Sequence, residues 1–132
     1  VYKNANLKYK TSFELSEFKK QYQLIKTKYP KLKSAIISSV GRLSQKQIEI
    51  ITKDLKVLEL NSETKLPFTN RYETPKTLGV DRLALVSASV QKYANKNVLI
   101  IDAGTCITYD FINQSNNYLG GAISPGIRLR YK

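Results

Sequence analysis

The stretch from Asn97 to Phe111 constrains the fold more than any other part of the chain. Asn97 to Ile101 is an apolar, β-branched run that ends on an acid, Asp102. Ala103, Gly104 and Thr105 make a tight turn, and a second run, Cys106 to Phe111, leads back. A third run, Tyr118 to Ile123, follows the polar turn Asn113–Asn117. Three short strands joined by turns of this length predict a meander, Val98–Asp102, Cys106–Phe111 and Tyr118–Ile123.

The residues before it follow a different rhythm. Leu7, Tyr9, Thr11 and Phe13 alternate with polar residues and predict a half-buried strand. Ser16 is placed to cap a helix to about Lys28, anchored by Phe18, Leu24 and Ile25 and closed by Pro30. Ser34 to Val40 reads as a short buried strand ended by Gly41, and Ser44 with Gln47 forms a capping-box pattern for a helix to about Leu55. Lys56 to Leu60 reads as another strand. The order β-α-β-α-β over residues 7–60 predicts a mixed α/β layer architecture. Asn61 to Leu78 reads as an extended loop. Asp81 to Tyr93 reads as a helix, with Leu83, Val86 and Val90 on one stripe. The change of rhythm places a domain boundary near Lys96.

Composition narrows the chemistry. With 132 residues, 42% apolar and 24% charged, the chain is sized for about one globular domain. No run approaches the ~20 apolar residues of a membrane span, and no secretory signal pattern is present. The absence of His excludes a Cys–His nucleophile, a Ser–His triad and a His-ligated zinc site within this chain. The single Cys106 excludes an internal disulfide, fits a reducing compartment and predicts a cytoplasmic protein. The net charge of +12 is concentrated early, with nine Lys in residues 1–33. These lysines are dispersed and lack aromatic–Arg interleaving, so they read as a solvating face rather than a nucleic-acid surface. Val1 and the sequence Gly126–Lys132, which reads like an unfinished helix, suggest a piece of a longer protein.

The turn at 102–105 has the size and chemistry of a phosphate site: a glycine, a hydroxyl and a cation-binding carboxylate. A second acid, Asp81, stands in Leu78-Gly-Val-Asp-Arg-Leu83 where a helix begins. Two acids on loops beside such a turn point to phosphoryl transfer. Because that transition state is loose, an acid aiming a hydroxyl matters more than a strong base. The helix start favours a carboxylate that stays ionised, although Asp81 also reads as an ordinary N-cap. Arg82 suits a substrate carboxylate, or a surface ion pair with Glu73. Gly79 lets backbone approach a ligand, or simply makes a turn. Asp102 reads as a cation ligand or a cap of its own turn. Thr105 offers a hydroxyl and an N–H to phosphate, or serves as a β-former. Cys106 reads as a small buried residue.

Four motifs carry a resemblance: Tyr72-Glu-Thr-Pro75, Leu78-Gly-Val-Asp-Arg82, Asp102-Ala-Gly-Thr-Cys-Ile-Thr108 and Gly120-Gly-Ala-Ile-Ser-Pro-Gly126. In order and spacing they resemble the type III pantothenate kinases of the acetate kinase/sugar kinase/Hsp70/actin superfamily. The resemblance is strong over residues 66–126. It implies an α/β, ribonuclease-H-like (actin-like ATPase) fold, with residues 1–96 the end of a first unit that lacks its opening strands. Residues 97–132 would then open a second unit. It implies ATP-dependent phosphorylation of pantothenate, with Asp81 catalytic and Tyr72, Gly79, Val80, Asp81 and Arg82 binding substrate. Thr105 would contact ATP and Asp102 a monovalent cation, potassium or ammonium, with magnesium accompanying ATP. Partners would be pantothenate, ATP and a second subunit in a homodimer, with no membrane and no nucleic acid. The family's opening Asp-x-Gly-Asn-Thr turn has no match here, nor does its later substrate-contacting Thr, so half of the ATP site is expected in this chain. A Bvg accessory factor-like transcriptional regulator is the alternative from the same family. Another kinase of the superfamily, acting on a sugar or small acid, is disfavoured by Tyr72–Arg82.

Overall fold

The computed structural model describes residues 1–39 and 43–131. The chain packs as two compact units, Val1–Ile37 with Gly41–Leu58, and Ser38–Val40 with Glu59–Lys132. Packing therefore divides the chain near residue 58.

In the first unit, β1 (Tyr2–Lys3) and β2 (Asn6–Leu7) form a minimal antiparallel hairpin. Asn4 and Ala5 turn it with φ of 50° and 62°, the two left-handed residues that a tight hairpin turn needs. The strand expected over Leu7–Phe13 does not continue past Leu7. The Tyr9 ring instead packs against Tyr29, with Lys28 Nζ 4.3 Å from its centroid, and Phe13 packs against Phe18. The alternating aromatics are thus used by helix α1 rather than by a sheet. A 3-10 turn at Leu15–Glu17 leads into α1 (Phe18–Lys28), so Ser16 lies inside the turn and caps nothing by its side chain. Leu24, an expected anchor, is exposed, and Tyr22 is tied instead to Asp54 by a 3.2 Å hydrogen bond.

Strands β3 (Ser34–Ile37) and β4 (Lys56–Glu59) pair, with α2 (Gln45–Thr52) between them in sequence. The capping box forms as the sequence predicts: Gln47 N–H donates to Ser44 Oγ, and Ser44 N–H to Gln47 Oε1 at 2.8 Å. Only Ile37 of β3 is buried, on Ile51 and Leu55; Ile36 is exposed, which corrects the fully buried strand expected there. Val40 and Gly41, the expected end of that strand, lie outside the described residues.

The second unit is a four-stranded sheet with order β5-β8-β7-β6. Strands β6 (Val98–Ala103), β7 (Cys106–Ile112) and β8 (Asn117–Pro125) form the antiparallel meander that the sequence predicts. The expected long loop contributes one addition, β5 (Thr69–Asn70), which pairs parallel with the start of β8. Helix α3 (Val80–Lys92) packs across β6 and β7, burying Leu83 and Val86 against Phe68, Leu78, Ile112 and Tyr118. This is the stripe read from the sequence. A single turn of helix, α4 (Ile127–Arg130), follows β8.

Two glycines of this sheet differ sharply in what surrounds them. A Cβ on Gly121 would strike the Tyr109 carbonyl and the Asp110 backbone on the neighbouring strand. A Cβ on Gly104 would meet only the Cys106 carbonyl oxygen, at 3.8 Å. Gly121→Ala is therefore expected to cost on the order of 3 kcal/mol, and Gly104→Ala to stay within about 0.5 kcal/mol. Denaturant unfolding of the two variants checks this; equal effects would contradict the packing of β7 on β8.

Candidate functional site

The loop between β5 and α3 carries the predicted substrate residues, and backbone pairing positions it. Arg71 N–H donates to Tyr118 O at 2.9 Å, and Asn70 Oδ1 accepts Tyr72 N–H at 3.0 Å. Tyr72 is thereby laid on Tyr118, ring centroids 6.1 Å apart and planes 24° from parallel. Gly120, with φ +101°, leaves the space, since a Cβ there would lie 2.8 Å from Tyr72 Cδ2. A 3-10 turn at Pro75–Thr77 and the buried Leu78 then deliver Gly79 as N-cap of α3.

Asp81 is therefore not the N-cap. It lies in the first turn of α3, exposed, with Oδ1 accepting Arg82 N–H at 2.9 Å. A Cβ on Gly79 would strike that same Oδ1, so the glycine leaves room for the carboxylate. Val80 opens the helix and is half-buried.

Arg82 is buried, which corrects the surface pair with Glu73 weighed from the sequence. Its Nε donates to Asp110 Oδ1 and Oδ2 at 2.9 and 3.2 Å, and Nη2 donates to Oδ1 at 2.6 Å. Tyr118 Oη donates to the same Oδ1 at 2.6 Å. The Tyr72 ring lies beside the guanidinium, centroid 5.4 Å from Arg82 Cζ. Burial pulls the Arg82 pKa down, but the hydrogen bond and attraction to Asp110 outweigh it and leave the pKa raised. Burial, and then the bond to Asp110, push the Tyr118 phenol well above its ordinary value.

Asp110 and Tyr118 were not legible as site residues. One signal was present: Asp110 occupies the same face of its strand as Ile112, where a charge demands a partner. In a chain whose cations are mostly Lys, Arg82 was one of five fork-shaped candidates.

The second half of the site sits on the same sheet. In the β6–β7 register Asp102 stands opposite Thr108, Ile100 opposite Asp110 and Val98 opposite Ile112. Paired residues share a face, and this face is the one under α3, because Val98, Ile100 and Ile112 pack in its core. Asp102 thus lies on the face that bears Arg82, about 7 Å along the strand from the Ile100–Asp110 pair. Its carboxylate accepts no hydrogen bond among the described residues, so it does not cap its turn. Thr108 Oγ1 is buried and finds no partner among the described residues.

The turn itself is tighter than expected. Ala103 belongs to β6, and Gly104 N–H donates to Cys106 O at 2.9 Å, which engages that amide within the hairpin. Thr105 O accepts Gly126 N–H at 2.9 Å, and Thr105 is exposed. An open depression of about 620 Å³ lies beside it, lined by Ala103, Gly104, Thr105, Ile107 and the residues Ile127, Arg128 and Leu129. Asp81 and Asp102 do not line it. Cys106, expected to be buried, is exposed at the strand start.

The raised Tyr118 pKa has a consequence at high pH. The folded state holds this proton more tightly than the unfolded chain, so its contribution is complete below the ordinary value of 10.0 and is lost as pH rises beyond it. Stability is expected to fall above about pH 10, more steeply in the parent than in Tyr118→Phe, by up to ~1.4 kcal/mol per pH unit. Urea unfolding from about pH 9 to about pH 11 measures both slopes; parallel slopes would contradict it.

The family model for type III pantothenate kinase matches residues 3–132. Over 132 residues the chain is 46% identical to the type III pantothenate kinase of Christiangramia forsetii, covering all of this chain and 54% of that protein. It is 46% identical over 120 residues to that of Flavobacterium johnsoniae, covering 91% of this chain and 49% of the relative. It is 50% identical over 109 residues to that of Phocaeicola vulgatus, covering 80% and 44%. The chain spans about half the length of these curated relatives, and the matches lend no support to the regulator reading. The chain belongs to the type III pantothenate kinase family.

Proposed function

We propose that the protein carrying this chain transfers the γ-phosphoryl group of ATP to the primary hydroxyl of pantothenate, the first step of coenzyme A biosynthesis. One observation carries the reading: an exposed carboxylate, Asp81, at the positive end of a helix, next to a buried and oriented guanidinium, Arg82. Successive helix positions diverge by about 100°. Asp81 therefore addresses the hydroxyl while Arg82 addresses a different part of the same substrate, its carboxylate.

The chemistry follows from these placements. With Oδ1 engaged by the Arg82 amide, Asp81 presents Oδ2 to the substrate hydroxyl, aims it at phosphorus and takes its proton late in the transfer. Asp110 occupies the Nε–Nη2 edge of Arg82, which leaves the Nη1 end for the carboxylate. Tyr72 lies against the same guanidinium, and Gly79 and Val80, directly before Asp81, would contact the substrate with it, Gly79 leaving room beside the carboxylate. Thr105 offers its hydroxyl and N–H to ATP phosphate, and Arg128 adds a cation on the same depression.

The donor set also fits a monovalent cation. Asp102 supplies a free carboxylate, and the unpartnered Thr108 Oγ1 across the strand pair supplies a second hard oxygen. No group of three acidic, Cys or His side chains fit to hold a metal occurs among the described residues, so backbone oxygens and phosphate would complete the shell. The cation, potassium or ammonium, would offset phosphate charge, and magnesium would arrive with ATP. On this reading the fold is ribonuclease-H-like, as in the actin-like ATPases, with a first unit ending near Lys96 and a second opening with the meander. The protein acts as a cytoplasmic homodimer. The α/β composition and the three-stranded meander support the fold; among the described residues no helix is long and apolar enough to cross a membrane.

Asp81→Asn in the full-length protein is expected to lower turnover at least ~100-fold, while pantothenate affinity by calorimetry stays within a few-fold. A coupled ADP-release assay with pantothenate and a panel of other alcohols reads both the loss and the substrate choice. Near-normal turnover in the variant would remove Asp81 from the mechanism, and preference for another alcohol would overturn the substrate.

A further inference from the structure

We propose that Asp110 is a positioning residue for substrate binding: it fixes the Arg82 guanidinium so that one edge faces the substrate carboxylate, with Tyr118 as its brace. The proposal rests on the reading of Arg82 as the carboxylate ligand and adds what holds it there.

Asp110 is fully buried in the middle of β7, which is paired on both sides, so the backbone that carries it has little freedom. Its carboxylate takes Nε and Nη2 of Arg82 and the phenol of Tyr118. Those three donors set the plane and the rotation of the guanidinium. Tyr118 is held in turn by the Tyr72 and Phe68 rings. The chain of contacts runs from the sheet interior to Arg82, one residue from the exposed Asp81.

A purely structural role explains this poorly. A buried ion pair adds little net stability compared with an apolar pair of similar size. It does remove the ordering cost of a long, flexible side chain before a ligand arrives. Asp110 also offsets the Arg82 charge, so it weakens long-range attraction for a carboxylate while improving its geometry. The two effects have opposite signs and can be told apart.

The test uses the full-length protein, steady-state kinetics with pantothenate and with the analogue whose carboxylate is replaced by a carboxamide. In Asp110→Asn the KM for pantothenate is expected to rise at least tenfold, by more than kcat falls, with the KM for ATP within twofold. The preference for acid over amide is expected to shrink. Tyr118→Phe keeps the ring and its packing and is expected to shift the same two quantities in the same direction, about threefold. It decides the matter if Asp110→Asn does not fold. Unchanged or increased acid preference would mean that Asp110 only neutralises Arg82, and equal rises in both KM values would mean that it only supports the fold; either overturns the proposal. Arg82→Lys separates the layers. If it leaves acid preference intact, the reading of Arg82 itself fails; if it abolishes preference while the other two variants do not, positioning alone fails.

Discussion

The buried pair between Arg82 and Asp110 joins helix α3 to the middle strand of the meander, and the geometry around the first turn of that helix depends on it. The pair is costly to assemble, because both charges leave water, and costly to break, because either partner alone would be stranded. That asymmetry pins the first turn of α3 to one register on the sheet. Asp81, the next residue back, inherits that register. Apolar packing of Leu83 and Val86 holds the helix to the sheet, but a greasy contact tolerates small slides that a three-bond carboxylate contact does not.

The sheet organises the rest. Its face beneath α3 carries, along two strands, an apolar end at Val98 and Ile112, a charged middle at Asp110, and an oxygen-rich end at Asp102 and Thr108. Side chains that bury the core and side chains suited to bind ions thus lie in sequence along one strand pair. Period-two alternation alone places them there, with no loop needed to bring the two chemistries to the same surface.

How much was legible follows from what each signal encodes. The meander, α2 with its cap and the stripe of α3 were readable because they are local patterns of period and turn chemistry. The strand at Leu7–Phe13 was misread because alternation records which side chains are apolar, not what covers them; here aromatic contacts to α1 replaced a sheet partner. Strand β5 was missed because two residues carry no period at all. Within the site, the acids and the glycines stood in recognisable motifs. The partner of Arg82 did not, since Asp110 lies 28 residues away and only the fold brings the two together.

Gly120 carries one more implication. Its left-handed backbone and its contact with Tyr72 are two separate demands on one position. Shrinking residue 72 would relieve the crowding yet leave the torsion unsuited to any side chain, and would strip the ring from the guanidinium as well. Drift at either site therefore closes off routes at the other, and the pair should behave in evolution as an epistatic lock rather than as two independent residues.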